Sequence, residues 1–317
     1  MSAAIEAIGL TKSFGGQVVL DGIDLEIQRG GVFALLGPNG AGKTTMIHIL
    51  STLLRPDSGT ARVAGHDVVN EAEAVRAAIG VTGQFSAVDA LLTGEENLRL
   101  MADLRHLGRR EGRRRVTELL ERFELTDAAR KPLATYSGGM RRRLDLAMTL
   151  VSRPDIVFLD EPTTGLDPRS RSEMWHIVRE LVAAGTSILL TTQYLDEADE
   201  LADRIAVLNG GRIVADGSPA ELKRLVPGGR VRLEFDDEAT LDAASAAFDE
   251  APRDDAALAI DVPSDGGFGS LRSIMERLDR GGIEARSLSI HTPDLDDVFF
   301  ALTGRSGDAA TEKEVAR

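Results

Sequence analysis

Short alternations of apolar and polar residues open the chain. Val18-Val-Leu20 and Ile23-Asp-Leu-Glu-Ile27, separated by Gly pairs at 15–16 and 30–31, predict a small β layer over residues 5–36. Within it, the unbroken run Val32-Phe-Ala-Leu-Leu36 predicts a buried strand. Residues 45–54 continue with helical character and stop at the turn Arg55-Pro-Asp-Ser-Gly59. Short strands are expected at 60–64 and 79–82. From about Glu95 to Thr149 the period becomes helical, with Leu98, Met101, Leu104 and Leu107, then Val116, Leu119, Leu120 and Phe123. Strand and helix then alternate over 156–159, 174–182, 188–192 and 206–208. This pattern predicts an α/β core over 1–226 carrying a helical subdomain at about 85–150. A boundary is expected at Pro227-Gly-Gly229. Beyond it, 227–304 reads β–α–β–α–β–α (231–235, 239–250, 256–262, 270–280, 285–290, 294–303), a small α+β domain. Residues 305–317 are polar and read as a flexible tail.

The join between the buried run and the first helix carries the most specific chemistry. Gly37-Pro38-Asn39-Gly40-Ala41-Gly42-Lys43-Thr44, followed by Thr45, is G-x-x-x-x-G-K-[ST] between a strand and a helix. The three glycines permit a sharp turn and bring backbone N–H groups close to a polyphosphate. The helix N-terminus adds its dipole and free donors. Lys43 would reach the outer phosphates, and Thr44 would offer a hydroxyl to Mg²⁺. The stretch implies a nucleoside triphosphate site. A second element, Asp155-Ile-Val-Phe-Leu-Asp160-Glu161, delivers two carboxylates to the end of a buried strand. Asp160 would hold Mg²⁺, while Glu161, pointing elsewhere, would orient or deprotonate an attacking water. Tyr136-Ser137-Gly138-Gly139-Met140 precedes a helical stretch. By itself it fits either a second anion site or a simple capped helix.

In combination and in this order, over about residues 4–225, these motifs resemble the ATP-binding subunit of an ATP-binding-cassette (ABC) transporter. The resemblance implies a P-loop NTPase core with β and helical subdomains, acting on ATP with Mg²⁺. It implies that Ser137, Gly138 and Gly139 form the signature loop, which closes over a nucleotide held by another subunit. Gln84, in Val81-Thr-Gly-Gln-Phe85, matches the Q-loop glutamine, which approaches Mg²⁺ and links to the membrane partner. Asp167, in Gly165-Leu-Asp-Pro168, matches the dimer-contact loop. Phe14 matches the aromatic that stacks on adenine; its alternative is a small core residue. Two positions depart from the family pattern. Met140 stands where Gln is usual, and Gln193 stands where most members carry a histidine that senses the γ-phosphate. A glutamine amide still donates a hydrogen bond there, yet it does not become cationic. The combination Tyr-Ser-Gly-Gly-Met-Arg-Arg-Arg143, Thr191-Thr-Gln-Tyr-Leu195 and Leu295-Asp-Asp-Val-Phe-Phe-Ala-Leu302 is similar to the daunorubicin-resistance type of exporter ATPase, which serves drug or lipid export. By that resemblance the active form is a homodimer with ATP between the chains, docked on a separate integral membrane permease subunit at the cytoplasmic face of the membrane.

Composition narrows the alternatives. A net charge of −14 disfavours nucleic acid as the main ligand. The absence of cysteine excludes disulfides and Cys-ligated metals. No secretory signal is visible at the start, and no apolar run approaches the ~18 residues that span a bilayer. A soluble ABC ATPase that remodels ribosomes or nucleic acid generally shows two fused cassettes or long coiled-coil insertions, and neither is present. Thr11-Lys-Ser-Phe14 lacks the Asp of a guanine-reading motif. The Arg-rich 109–115 reads as a solvated loop and helix start, Asp196, Glu197, Asp199 and Glu200 as acids suited to the first turn of a helix, and Trp175 as core. Arg141, Arg142 and Arg143 are read as supporting the signature helix and the phosphate field.

Overall fold

A computed structural model of the chain describes residues 3–83, 87–226, 229–249, 251–264 and 267–303. The hairpin of β1 (Ile5–Phe14) and β2 (Gln17–Ile27) turns at Gly15 and Gly16, whose φ of +56° and +85° suit glycine at both corners. Next come β3 (Val32–Leu36), α1 (Lys43–Leu50), β4 (Ser58–Val63), β5 (His66–Asp67), α2 (Ala72–Ala78) and β6 (Ile79–Thr82). The helical stretch holds α3 (Gly94–Leu104), α4 (Arg109–Arg122) and α5 (Gly138–Thr149). Then follow β7 (Ile156–Asp160), α6 (Pro168–Ala183), β8 (Ser187–Thr192), α7 (Leu195–Leu201), β9 (Arg204–Asn209) and β10 (Arg212–Gly217).

These strands form two sheets. One is antiparallel, in the order β2-β1-β4-β5; the other runs β10-β9-β3-β8-β7-β6 and is parallel from β9 to β6. The expected β layer over 5–36 therefore divides: β3 leaves it for the centre of the parallel sheet. The reason lies in its composition. All five of its residues are buried, as a strand covered on both faces requires, whereas β1 and β2 alternate buried and exposed positions. In α4 the stripe Val116, Leu119, Leu120 and Phe123 is buried as its spacing predicts. In α3 the spacing misleads, because Leu104 is 62% exposed while Asn97 and Ala102 turn inward beside Leu98. Helix α1 ends at Leu50, short of 54, where Thr52 adopts a φ of +68°.

The chain divides into two compact units, Met1–Pro219 and Ala220–Arg317. The division precedes the expected boundary at 227 because pairing in the parallel sheet finishes at Gly217. After α8 (Pro219–Lys223), the second unit contains β11 (Arg230–Glu234), α9 (Glu238–Ala247), β12 (Arg253–Asp254), β13 (Ala259–Pro263), α10 (Phe268–Gly281), β14 (Ser287–His291) and α11 (Leu295–Thr303). Its antiparallel sheet runs β12-β13-β11-β14. The alternation of strand and helix follows the sequence reading, with the two-residue β12 added. The expected tail at 305–317 lies outside the described residues. No described helix is long and apolar enough to cross a membrane.

Candidate active site

The site forms at the carboxyl ends of β3, β8 and β7, which lie side by side in the parallel sheet. Such strand ends open a crevice where polar groups converge. Gly37 leaves β3 so close to β9 that an added Cβ would sit 2.3 Å from the Leu208 carbonyl oxygen. Gly42 has φ +110°, and a Cβ there would meet Leu20 at 2.8 Å and the Val19 carbonyl at 2.9 Å. Both glycines are required by these approaches. The loop closes through Ala41 N–H donating to Pro38 O (3.2 Å), with Asn39 and Gly40 exposed at its tip. Helix α1 starts at Lys43 with no side-chain cap, leaving its first N–H groups for an anion. Thr45 follows in the first turn, half-buried.

Lys43 is 5% exposed. Its ammonium donates to Gly37 O (2.8 Å) and Pro38 O (3.1 Å) and stands 3.6 Å from Glu161 Oε1. Burial lowers its pKa, against the opposing pull of Glu161 and Asp160. Asp160 is 2% exposed and accepts from Thr191 Oγ1 (2.5 Å) and Thr44 Oγ1 (3.4 Å). Among the described residues no three His, Cys, Asp or Glu gather to hold a metal. One hydroxyl and one carboxylate suit Mg²⁺ all the same, since this ion takes few protein ligands and completes its shell with phosphate oxygens and water. Glu161 has a φ of +48°, a left-handed conformation that costs a non-glycine residue about 1–3 kcal/mol. Its N–H donates to Thr191 O and Oγ1 (3.1 Å each), and Thr164 Oγ1 donates to its Oε2 (3.3 Å).

The remaining predicted residues are distributed around this cluster. Gln193 is half-buried directly after β8, where Thr192 O accepts from Gly37 N (3.3 Å) and so ties the segment to the loop. Ser137 caps α5, its Oγ accepting from Met140 N (3.2 Å), and is exposed beside Gly138. Gly139 packs so closely on α6 that a Cβ would lie 2.6 Å from Ser170 Oγ. Ser170 in turn binds Asp167, the N-cap of α6, which brings the two predicted loops together. These bonds hold the Asp167 carboxyl below its ordinary pKa. Phe14 is 49% exposed, which excludes the core alternative; the Lys12 ammonium stands 5.5 Å from its ring. Lys12 pairs with Leu20, the residue against Gly42, so the hairpin tip belongs to the loop's surroundings. Gln84 lies outside the described residues.

Two residues take more specific places than the sequence reading gave them. Glu197, read only as one of several acids suited to a helix first turn, is fully buried beside Thr192, Thr163 and Trp175, whose Nε1 donates to its Oε1 (3.3 Å). Burial raises its pKa. Arg142 sends its guanidinium under the end of β7, donating to the carbonyls of Asp160 (3.1 Å), Glu161 (3.2 Å) and Pro162 (2.8 Å). The signal for it was Asp145, a carboxylate within the apolar Leu144–Ala147 run and three residues on, which needs a buried cation.

The ABC transporter family model matches residues 20–164. The chain is 50% identical to daunorubicin resistance ATP-binding protein DrrA3 of Streptomyces coeruleorubidus, over 95% of this chain and 96% of that one. It is also 50% identical to daunorubicin/doxorubicin resistance ATP-binding protein DrrA of Streptomyces peucetius, over 99% of this chain and 96% of that one. A solved relative, cbiO1 from Clostridium perfringens, part of the ABC transporter complex cbiONQ, is 28% identical with a TM-score of 0.66, covering 70% of this chain and 91% of its own. A glycine-rich strand-to-helix loop, two buried strand-end carboxylates and a glycine-tight turn into α5 thus occur in a chain half identical to these proteins along nearly all its length, and the chain belongs to the ABC transporter family as an ATP-binding, ATP-hydrolysing subunit of the daunorubicin-resistance branch.

Proposed function

We propose that two copies of this chain sandwich ATP and power export of a drug or lipid through a separate membrane permease. The observation that carries this reading is the buried cluster of Lys43, Asp160 and Glu161 against the phosphate loop. The loop backbone and Lys43 bind the β- and γ-phosphates. Thr44, Asp160 and Gln84 hold Mg²⁺, which when bound offsets phosphate charge. Glu161 takes the proton of the attacking water, and Gln193 donates to the γ-phosphate. Phe14 stacks on the adenine. Ser137, Gly138 and Gly139 reach the nucleotide of the opposite copy, with Asp167 at the contact; the exposure of Ser137 and Asp167 supports this. ATP favours the closed dimer, and its differential affinity for closed and open forms is the source of the work. The place of action is the cytoplasmic face of the membrane, and the relatives named for daunorubicin resistance support a drug cargo.

The test is affinity purification from gently solubilised native membranes, followed by sizing with and without Mg-ATP. A stoichiometric multi-span membrane protein and an ATP-dependent dimer are expected. Recovery with ribosomes or nucleic acid, and no dimer with ATP, would overturn the reading.

A further inference from the structure

Arg142 is attached to the signature helix α5 but is spent on the catalytic strand end. Its side chain is 11% exposed. Nε donates to Pro162 O (2.8 Å), Nη2 to both Asp160 O (3.1 Å) and Glu161 O (3.2 Å), and Nη1 to Gly83 O (2.9 Å) and Asp145 Oδ2 (3.5 Å). A guanidinium has five N–H donors in a planar fork, and here all five are engaged. Three consecutive carbonyls, 160 to 162, converge on one cation because the chain turns left-handed at Glu161, where φ is +48°. A side chain other than glycine rarely adopts that conformation, so neighbours must hold it. Strand β8 holds it from the N–H side through Thr191, and Arg142 holds it from the carbonyl side. Asp145, on the same helix, accepts from Ala87 N (3.1 Å), so α5 also grips Gly83 and Ala87.

We propose that Arg142 is a positioning residue of the ATPase: it fixes the left-handed turn that aims the Glu161 carboxylate at the phosphate loop, and it makes that turn answer to movements of the signature helix. This rests on Glu161 being the water-activating base. The fork is the operative feature. A lysine keeps the charge but gathers three donors on one nitrogen, which does not span carbonyls from Gly83 to Pro162. A glutamine has two donors.

The test compares Arg142→Lys and Arg142→Gln in the full-length chain, reading kcat and KM for Mg-ATP, affinity for a fluorescent ATP analogue, and melting temperature. Both variants are expected to lose kcat by about 10- to 100-fold, the scale of an ångström of misplacement, with nucleotide affinity and melting temperature retained. Lysine should not rescue. Parental kcat in either variant overturns the proposal. So do parallel losses of affinity, stability and rate, or failure of both variants to fold, which would make Arg142 structural only. Glu161→Gln, measured alongside, separates the underlying reading: if it turns over normally while the Arg142 variants do not, the base assignment is at fault.

Discussion

The two sheets that bear the cores of the two units treat polar residues in opposite ways. At the strand ends of the parallel sheet, Lys43, Asp160, Glu161, Thr191, Thr192 and Glu197 are all buried. In the second unit, among the described residues, Ser264 is the single polar residue buried as a whole, with individual buried polar atoms at Ser245 Oγ and Asp261 Oδ1. Its charges pair at or near the surface instead: Arg232 with Asp254 (2.6 Å) and Asp261 (3.3 Å), Arg253 with Asp242 (2.6 Å), Arg286 with Glu234 (2.9 Å). Its core of Val231, Leu233, Phe235, Leu241 and Ile260 is wholly apolar. Burying polar groups is costly unless each finds a partner, so a fold that concentrates them has a use for them. Parallel strands aligned at their carboxyl ends bring such groups to one crevice, whereas a small antiparallel sheet satisfies its own edges and disperses its charges. The concentrated buried polar cluster therefore belongs to the first unit.

The strongest test of this contrast is Glu161→Gln. It should slow hydrolysis by about 10²–10⁴-fold, the range of a lost general base, while leaving ATP binding intact. Steady-state turnover and equilibrium binding check this, and undiminished turnover would remove Glu161 from the role. A smaller effect is expected from Phe235→Ala, which empties a fully buried site in the second unit. It should destabilise that unit by about 3–5 kcal/mol. Calorimetry should show one transition lowered and the ATP-protected transition unmoved. Loss of ATP binding in this variant would break the separation of roles.

The smallest expected effect concerns Glu197. Burial raises its pKa above the ordinary 4.5, so the folded state binds its proton more tightly than the unfolded chain does. The stability from this proton is complete below 4.5 and is lost as pH rises through the raised folded value. Glu197→Gln lacks that loss. Its melting temperature should therefore gain on the parent by a few degrees as pH rises from about 5 to about 8. A gap that stays constant with pH would place the carboxylate in contact with water, against its full burial.

Legibility from sequence followed the distance over which each feature is encoded. The stretch Gly37–Thr44 occupies eight consecutive residues, and the structure carries it from strand β3 into helix α1, as its flanks imply. The order of elements was readable for the same reason. The helix α3 face was not, because a short amphipathic stretch with Leu at several phases fixes its buried stripe only against neighbours. Arg142 was visible as one of three successive arginines, and the one local sign of which turns inward was Asp145, three residues on. Glu197 sat among three other acids that do suit a solvated helix start.

The sequence by itself determined the glycine-rich strand-to-helix loop, the strand-end carboxylates and the helix and strand order, because each depends on φ preferences and apolar periodicity within a few residues. Only the tertiary structure decided that β3 joins the parallel sheet, that Glu161 is held left-handed, and that one guanidinium from α5 joins Gly83 to Asp160, Glu161 and Pro162. Those bonds cross 18 to 59 residues of chain. Their donors and acceptors are ordinary side chains and carbonyls until packing removes water and leaves each only the other to bind.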